Sequence, residues 1–311
     1  MDRRTFIAAM AAAGPAGARL AGTSGLETAG IIVGSLSDQN WHRQMRRLHL
    51  DRPGRLDHVI RKTAAIAREF GFTPMAIDLT LAALPSTEKS YIDELKVRLG
   101  ESKLWPVVEV GGVAVTYDDE VRTAACEEGR RDLELAARLG ARTCTFSPDI
   151  NGRLTRPAAV RLATESIREL GRSAKAFGIR ICQENYDYFS SDDLIRISEG
   201  TGLDNVGVLN DTGNWLILNE DPVFATRKCL PRTFHAHVRD YVLEQGVYNG
   251  VALGRGLVDF PTLLPVLAQA GSKERIAFTI ELDTDNRDED EELHESYRYA
   301  KDWLVANGLM K

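Results

Sequence analysis

The sequence predicts a closed (β/α)₈ barrel, and three observations carry that expectation. Short β-rich apolar runs alternate with longer segments of helical period, the pattern of a parallel sheet with crossover helices. Eight such runs occur: Gly30–Leu36, Pro74–Thr80, Pro106–Gly111, Thr143–Ser147, Ile179–Glu184, Val206–Asp211, Thr233–Val238 and Ala277–Leu282. Eight β/α units in about 280 residues match the usual size of such a barrel. Helical stretches with apolar residues three and four apart lie between the runs, among them Leu56–Phe70, Asp118–Leu139, Ala158–Phe177, Phe260–Ala270 and Glu291–Asn307. Gly71, Gly140, Gly178, Gly202 and Gly271 fall just after helices, where a left-handed cap residue is wanted. An open doubly wound sheet fits less well, because no G-x-G-x-x-G follows the first strand and no linker divides the chain.

The 311 residues are 43% hydrophobic and 27% charged, an ordinary globular composition that excludes disordered and collagen-like classes. A formal net charge of −6, with Lys and Arg spread along the chain, leaves no basic face for a phosphate backbone, so nucleic acid is not an expected partner. Cys126, Cys144, Cys182 and Cys229 are isolated, without C-x-x-C spacing, and read as buried thiols.

The N-terminus differs from the rest. Arg3-Arg4-Thr5-Phe6-Ile7 precedes the Ala-rich run Ala8 to Ala13, and Ala16-Gly17-Ala18 offers small residues for a signal peptidase. A basic head, a short apolar stretch and an A-x-A-like site make a secretory leader. The RR-x-F-I core resembles a twin-arginine signal, although Asp2 stands where Ser or Thr is usual and no Lys follows the apolar pair. Residues 1–28 are therefore read as leader and 29–311 as one barrel domain, with periplasmic or otherwise exported localisation. No further segment is apolar enough to cross a membrane, so no membrane contact is expected of the mature form. A homo-oligomer is compatible with these features.

In a barrel the active site is built at the carboxyl ends of the strands. Strand five ends in Gln183-Glu184-Asn185, strand six in Asn210-Asp211-Thr212-Gly213, strand seven in His235-Ala236-His237 and strand eight in Thr279-Ile280-Glu281. Each run stays apolar until its last turn and then delivers a metal-competent side chain at one relative depth. Unpaired charges meeting at one rim repel unless a cation sits between them, so Glu184, Asp211, His237 and Glu281 read as ligands of one divalent ion. Three carboxylates and one imidazole suit Mn²⁺ best, with Mg²⁺, Co²⁺ or Zn²⁺ as alternatives. Weaker rim candidates are Asp78, Glu109, Asp149, His235, Arg239 and Asn214. Arg239 has two readings, substrate contact or a structural pair with Asp240 or another acid. Trp41, Trp215 and Tyr186 are candidates to stack on a sugar ring. The acids Asp288 to Glu292 read as a solvated helix start, and His42, His49 and His58 as surface residues of a long first loop and its helix.

The runs Glu184-Asn185, Gly207 to Trp215, His235 to Asp240 and Gly254 to Phe260 resemble the xylose-isomerase-like sugar-phosphate isomerase/epimerase superfamily, over nearly the whole chain after the leader. The resemblance implies the four ligands named above, with Glu184 and Glu281 also forming the acid/base pair. Asn214, Arg239, His235 and Glu109 are then the candidates to bind substrate. It implies a carbohydrate substrate and a metal-dependent isomerase or epimerase that abstracts a proton next to a carbonyl. A keto-glycoside lyase or dehydratase working by β-elimination shares that first step, and a non-catalytic sugar-binding barrel is the third reading. A hydrolytic endonuclease on this fold needs extra His ligands and a basic groove, and neither is visible. Two departures set the substrate apart from the better-known epimerases: Asn214 stands where His is frequent, and Arg239 where Lys is usual.

The leader reading is tested by fusing Met1 to Gly25 to a reporter. The fusion is exported folded, and Arg3→Lys with Arg4→Lys blocks export; unchanged export in the double variant assigns the general secretory route instead.

Overall fold

The computed structural model describes residues 31–34, 51–72, 74–186, 188–270, 276–282 and 289–310. The leader, Trp41, His42, His49, Gly271 and Asp288 lie outside the described residues. Eight parallel strands close a barrel: β1 (Ile31–Gly34), β2 (Met75–Thr80), β3 (Leu104–Glu109), β4 (Thr143–Phe146), β5 (Arg180–Glu184), β6 (Val206–Asp211), β7 (Thr233–Val238) and β8 (Ile276–Ile280). Each strand pairs with its sequence neighbours, and β8 returns to β1 through Ile31 opposite Ile276.

Helices α1 (Arg52–Phe70), α2 (Lys89–Glu101), α3 (Asp119–Leu139), α4 (Arg156–Ala176), α5 (Ser191–Gly200), α6 (Pro222–Cys229), α7 (Phe260–Ala270) and α8 (Glu289–Ala306) follow strands one to eight in turn. The first turn of α3 is held by Asp118, whose carboxylate accepts from the Glu120 and Val121 amides, and the helix ends on Gly140 at φ 99°. Only glycine enters that left-handed region cheaply. Among the described helices none is long and apolar enough to cross a membrane.

Alternation along the strands sorts the core into two layers. Met75, Ile77 and Leu79 of β2 belong to the large apolar cluster between sheet and helices. Ala76 of β2, Val107 of β3 and Ala277 of β8 form a small second cluster, with Trp105 packed against it, inside the barrel. Asp78 follows Ala76 on the inner side, toward the carboxyl ends of the strands.

The observed strands differ from the expected ones chiefly at β3, which begins two residues earlier, at Leu104, because Pro106 is tolerated inside a strand whose Leu104 and Val107 are buried. Helices α2, α5 and α6 are short or only weakly periodic and are not singled out by the sequence pattern. Nor is the antiparallel hairpin Asp240–Glu244 with Val247–Val251, which projects just beyond β7.

That hairpin and the loop after it are tied down by one side chain. The Asp240 carboxylate accepts from the amides of Tyr241, Gly254, Gly256 and Val258 at 2.8–3.1 Å. Gly256 admits this approach, since a Cβ there would lie 2.2 Å from Asp240 Oδ1. Arg239 therefore does not pair with Asp240, whose acceptor sites are taken by backbone. Asp240→Ala strands four backbone amides, those of Tyr241 and Val258 buried, and should cost about 2–4 kcal/mol in denaturant unfolding. A loss below about 0.5 kcal/mol would show that the loop holds its shape without the carboxylate.

Candidate metal centre

The strand register explains how residues from four strands reach one point. Asp211 stands opposite His237, and His237 opposite Thr279, two residues before Glu281. Glu184 stands opposite Leu209, two residues before Asp211. Even offsets keep every side chain on the inner face, while the stagger of a closed barrel moves the contact level along successive strands. The shared relative depth read from the sequence holds for Asp211 and His237, which stand level, while Glu184 and Glu281 are each offset by one two-residue step.

At this level Glu184, Asp211, His237 and Glu281 each offer one ligand atom, all within 4.8 Å of one another. His237 Nδ1 lies 2.7 Å from Glu281 Oε2, 3.8 Å from Glu184 Oε1 and 4.0 Å from Asp211 Oδ2. His237 Nδ1, Glu281 Oε2 and Asp211 Oδ2 are buried and face one another and the Arg239 guanidinium. Three carboxylates gathered this closely are costly unless cations offset them, and a metal ion among these atoms would add to the offset that His237 and Arg239 supply. One imidazole nitrogen with three carboxylates suits Mn²⁺, Mg²⁺, Co²⁺ or Zn²⁺, so the donor set fits the group expected there.

Each ligand arrives with a clamp on a neighbouring strand. Asn185 holds the Asp211 backbone from both sides, donating Nδ2–H to Asp211 O at 2.9 Å and accepting from Asp211 N at 2.7 Å. Asp211 Oδ1 accepts from the Gly213 and Asn214 amides at 2.8 and 3.0 Å, which leaves Oδ2 for the centre. Thr212 Oγ1 donates to Arg239 O and accepts from Arg239 N at 2.7 and 2.8 Å. Glu184 accepts from Ser147 Oγ at 3.1 Å and from Asn214 Nδ2 at 3.2 Å.

On its far side His237 turns Nε2 toward Asp78 Oδ2, 3.7 Å away, and His235 Nε2 lies 3.4 Å from Asp78 Oδ1. A carboxylate behind a ligating imidazole fixes its orientation and raises its basicity. Arg239 is buried with its guanidinium Nη2 against Glu281 Oε1 and 3.2 Å from Asp211 Oδ2.

These surroundings separate the titrating groups. Burial pushes Glu184 up to about 7 and Asp211 up to about 6, against the pull of His237 and Arg239. Burial acts the same way on Glu281, but Arg239 and His237 outweigh it and hold the carboxyl below its ordinary value. On His237 burial is outweighed by Glu281, Asp78 and Glu184, which raise the imidazole to about 10.

A cavity of about 410 Å³ opens over the centre, with Glu184, His237, Arg239 and Glu281 in its wall. Glu109 and Asn214 line it too, and Glu109 accepts from Thr80 Oγ1 at 2.7 Å. His235 is fully buried and does not line the cavity; its contacts are Asp78 and Thr279, beneath the floor. Trp215 is likewise buried in the core, donating Nε1–H to Asn210 Oδ1 at 2.8 Å, so it presents no stacking face, whereas Tyr186 is half exposed at the mouth. Asp149 is exposed in a two-residue strand paired with Ala114–Val115, away from the cavity wall. His58 lies on α1. Ser147, Tyr241 and Tyr248 complete the wall without having been singled out in the sequence; Ser147 closes the β4 run, so the strand-end rule that found the ligands reaches it too. A larger cavity of about 810 Å³, lined by Trp105, Arg142, Arg180 and Asn205 among others, opens at the amino ends of the strands, opposite the carboxylates.

The family model for xylose isomerase-like TIM barrels matches residues 64–306. The chain belongs to this family. No curated protein matches it. Among solved structures, a xylose isomerase-like TIM barrel protein from Mycobacterium smegmatis in complex with magnesium is 19% identical, covers 92% of this chain and 99% of its own, and has a TM-score of 0.63. A D-psicose 3-epimerase with D-tagatose, from Clostridium cellulolyticum H10, is 17% identical over 80% of this chain and 93% of its own, with a TM-score of 0.64. The IOLI protein with a bound zinc atom is 15% identical over 79% and 91%, with a TM-score of 0.59. At these identities the likeness is one of fold.

The charge pattern makes a pH prediction for the metal-free chain. Glu184 and His237 have folded values raised above their unfolded ones, so each stabilises the fold below its unfolded value and loses that contribution as pH rises through the folded value. Glu281 has the opposite sign, but its window lies below the ordinary carboxylate range. His235, lowered by burial, acts only below its ordinary value of 6.5. The melting temperature of the metal-free protein should therefore fall between about pH 6.5 and 8.5, and saturating Mn²⁺, which requires deprotonated ligands, should abolish or reverse the slope. A metal-free melting curve that rises over this window would contradict the charge assignment.

Proposed function

We propose that the protein is a divalent-metal-dependent sugar isomerase or epimerase, with Mn²⁺ the best-suited ion. The observation that carries this reading is the convergence of buried donor atoms on Asp211, His237 and Glu281, with Glu184 beside them, all within 4.8 Å of one another, at the floor of a cavity large enough for a monosaccharide. When bound, a divalent ion held by these four residues supplies a Lewis acid to a substrate carbonyl and its neighbouring hydroxyl.

The chain's own residues do the rest. Glu184 and Glu281 approach His237 from β5 and β8, so the two carboxylates flank the substrate position, one able to take the proton next to the carbonyl and the other to return one. Ser147 and Asn214 hold the Glu184 carboxylate in one orientation, as a proton acceptor at a fixed carbon requires. Tyr241 and Tyr248 supply hydroxyls and ring edges to the wall, in keeping with a polyhydroxylated ligand. Export by the leader favours substrates without phosphate.

The test has three parts. Metal analysis of protein supplied with Mn²⁺ should find about one ion per chain, and none found removes the reading. Candidate ketoses and 3-keto-glucosides followed by NMR in D₂O should show deuterium entering next to the carbonyl; release of an aglycone would assign β-elimination, and no exchange with any sugar would leave a binding barrel. At saturating metal, with occupancy measured, Glu184→Gln and Glu281→Gln should each lose at least about a hundredfold in kcat. Near wild-type turnover in both fully loaded variants would refute the acid/base roles while leaving the ligand roles standing.

A further inference from the structure

Arg239 occupies a position that a substrate-binding residue alone would not require. It is 5% exposed, it follows the ligand His237 by two residues, and one nitrogen, Nη2, meets both Glu281 Oε1 and Asp211 Oδ2. The other, Nη1, donates to the Tyr241 hydroxyl, and the guanidinium lies over the Tyr241 ring, 5.5 Å from its centroid. The backbone of Arg239 is pinned in both directions by Thr212. Room for the arm comes from Gly213, where a Cβ would lie 2.6 Å from the Tyr241 ring and 3.1 Å from Arg239 Cδ. The Asp-Thr-Gly segment thus supplies one ligand, one backbone clamp and the space that Arg239 fills.

The two oxygens of Glu281 are divided between cations: Oε1 faces Arg239 and Oε2 faces His237 Nδ1. Three carboxylates bring three negative charges to the centre, and a divalent ion offsets two. The guanidinium offsets the third: Nη2 faces both carboxylates while Nη1, on the other arm of the fork, is held by the Tyr241 hydroxyl, an anchorage that an ammonium lacks.

We propose that Arg239 is a built-in counter-cation of the metal centre, a positioning residue that assembles Asp211 and Glu281 in the metal-free chain and brings the loaded centre to neutrality. This rests on the reading of the four residues as metal ligands. It carries a consequence opposite to that of a merely structural residue. Removing a fixed positive charge a few ångströms from the ion makes the site more attractive to Mn²⁺, on the order of tenfold to a hundredfold. The same removal leaves the metal-free carboxylates without their partner and destabilises that state most. Loss of an ordinary packing residue would weaken metal binding instead.

The experiment compares wild type, Arg239→Met and Arg239→Lys, all prepared with Mn²⁺ bound. Mn²⁺ affinity is read by competition with a chelator, which needs no stable metal-free variant. Melting temperatures are then taken with and without Mn²⁺. Arg239→Met should hold Mn²⁺ at least about tenfold tighter than wild type and gain more in melting temperature on loading; Arg239→Lys, which keeps the charge and loses the fork, should fall between. Equal or weaker Mn²⁺ binding by Arg239→Met, beside a wild type that binds normally, overturns the counter-cation role. A wild type that takes up no Mn²⁺ overturns the metal centre itself, and the inference with it.

Discussion

Everything at the mouth of this barrel is arranged around one electrostatic difficulty, the gathering of three carboxylates at the end of a closed sheet. Asp211 is fully buried, Glu281 nearly so, and Glu184 stands within reach of both. Unpaired buried charges cost several kcal/mol each, so such a cluster persists only where cations or hydrogen bonds face it. The chain supplies Arg239 and His237 from β7, Asp78 behind the imidazole, and amide or hydroxyl donors for the remaining oxygens. Asp211 Oδ2, Glu281 Oε2 and His237 Nδ1 converge with Glu184 at the point where the four residues could hold a metal ion.

A second regularity follows from the first. Side chains from different strands meet at one point only if each strand is held at a fixed level relative to the next, and the residues after Glu184 and Asp211 do this. Asn185 follows Glu184 and binds the backbone of Asp211; Thr212 follows Asp211 and binds the backbone of Arg239. Asp240, in the segment that begins at His237, binds the amides of the Gly254 to Val258 loop. Glu184–Asn185 and Asp211–Thr212 thus each join a candidate ligand to a clamp on the next strand.

That explains what the sequence made legible and what it did not. The eight runs and the residues that end them were readable because a strand buried on both faces is apolar until it leaves the sheet, and a charge at its end stands out. Glu184, Asp211, His237 and Glu281 were found that way. The partners of Arg239 were not, because ion pairs between distant strands depend on barrel stagger, which no local pattern encodes. Trp215 and His235 misled for a related reason: both lie beside ligands in sequence, but alternation and a helical turn carry Trp215 into the core, while His235 sits one inward step below His237, under the floor. The hairpin after β7 escaped notice because its strands are short and half exposed, with no buried face to impose a period.

The same stagger makes the two glutamates unequal. Glu281 lies where both Arg239 and His237 reach it, and the two cations together outweigh its burial. Glu184 meets neutral donors, Ser147 and Asn214, with His237 farther off at 3.8 Å, and burial dominates, so its carboxyl rises to about 7. In the metal-free chain the two carboxyl groups therefore hold different protonation states over one pH range, a difference that a bound ion, which requires deprotonated ligands, would remove. In this barrel the asymmetry comes from two cations, Arg239 and His237, placed against one glutamate while the other meets neutral donors.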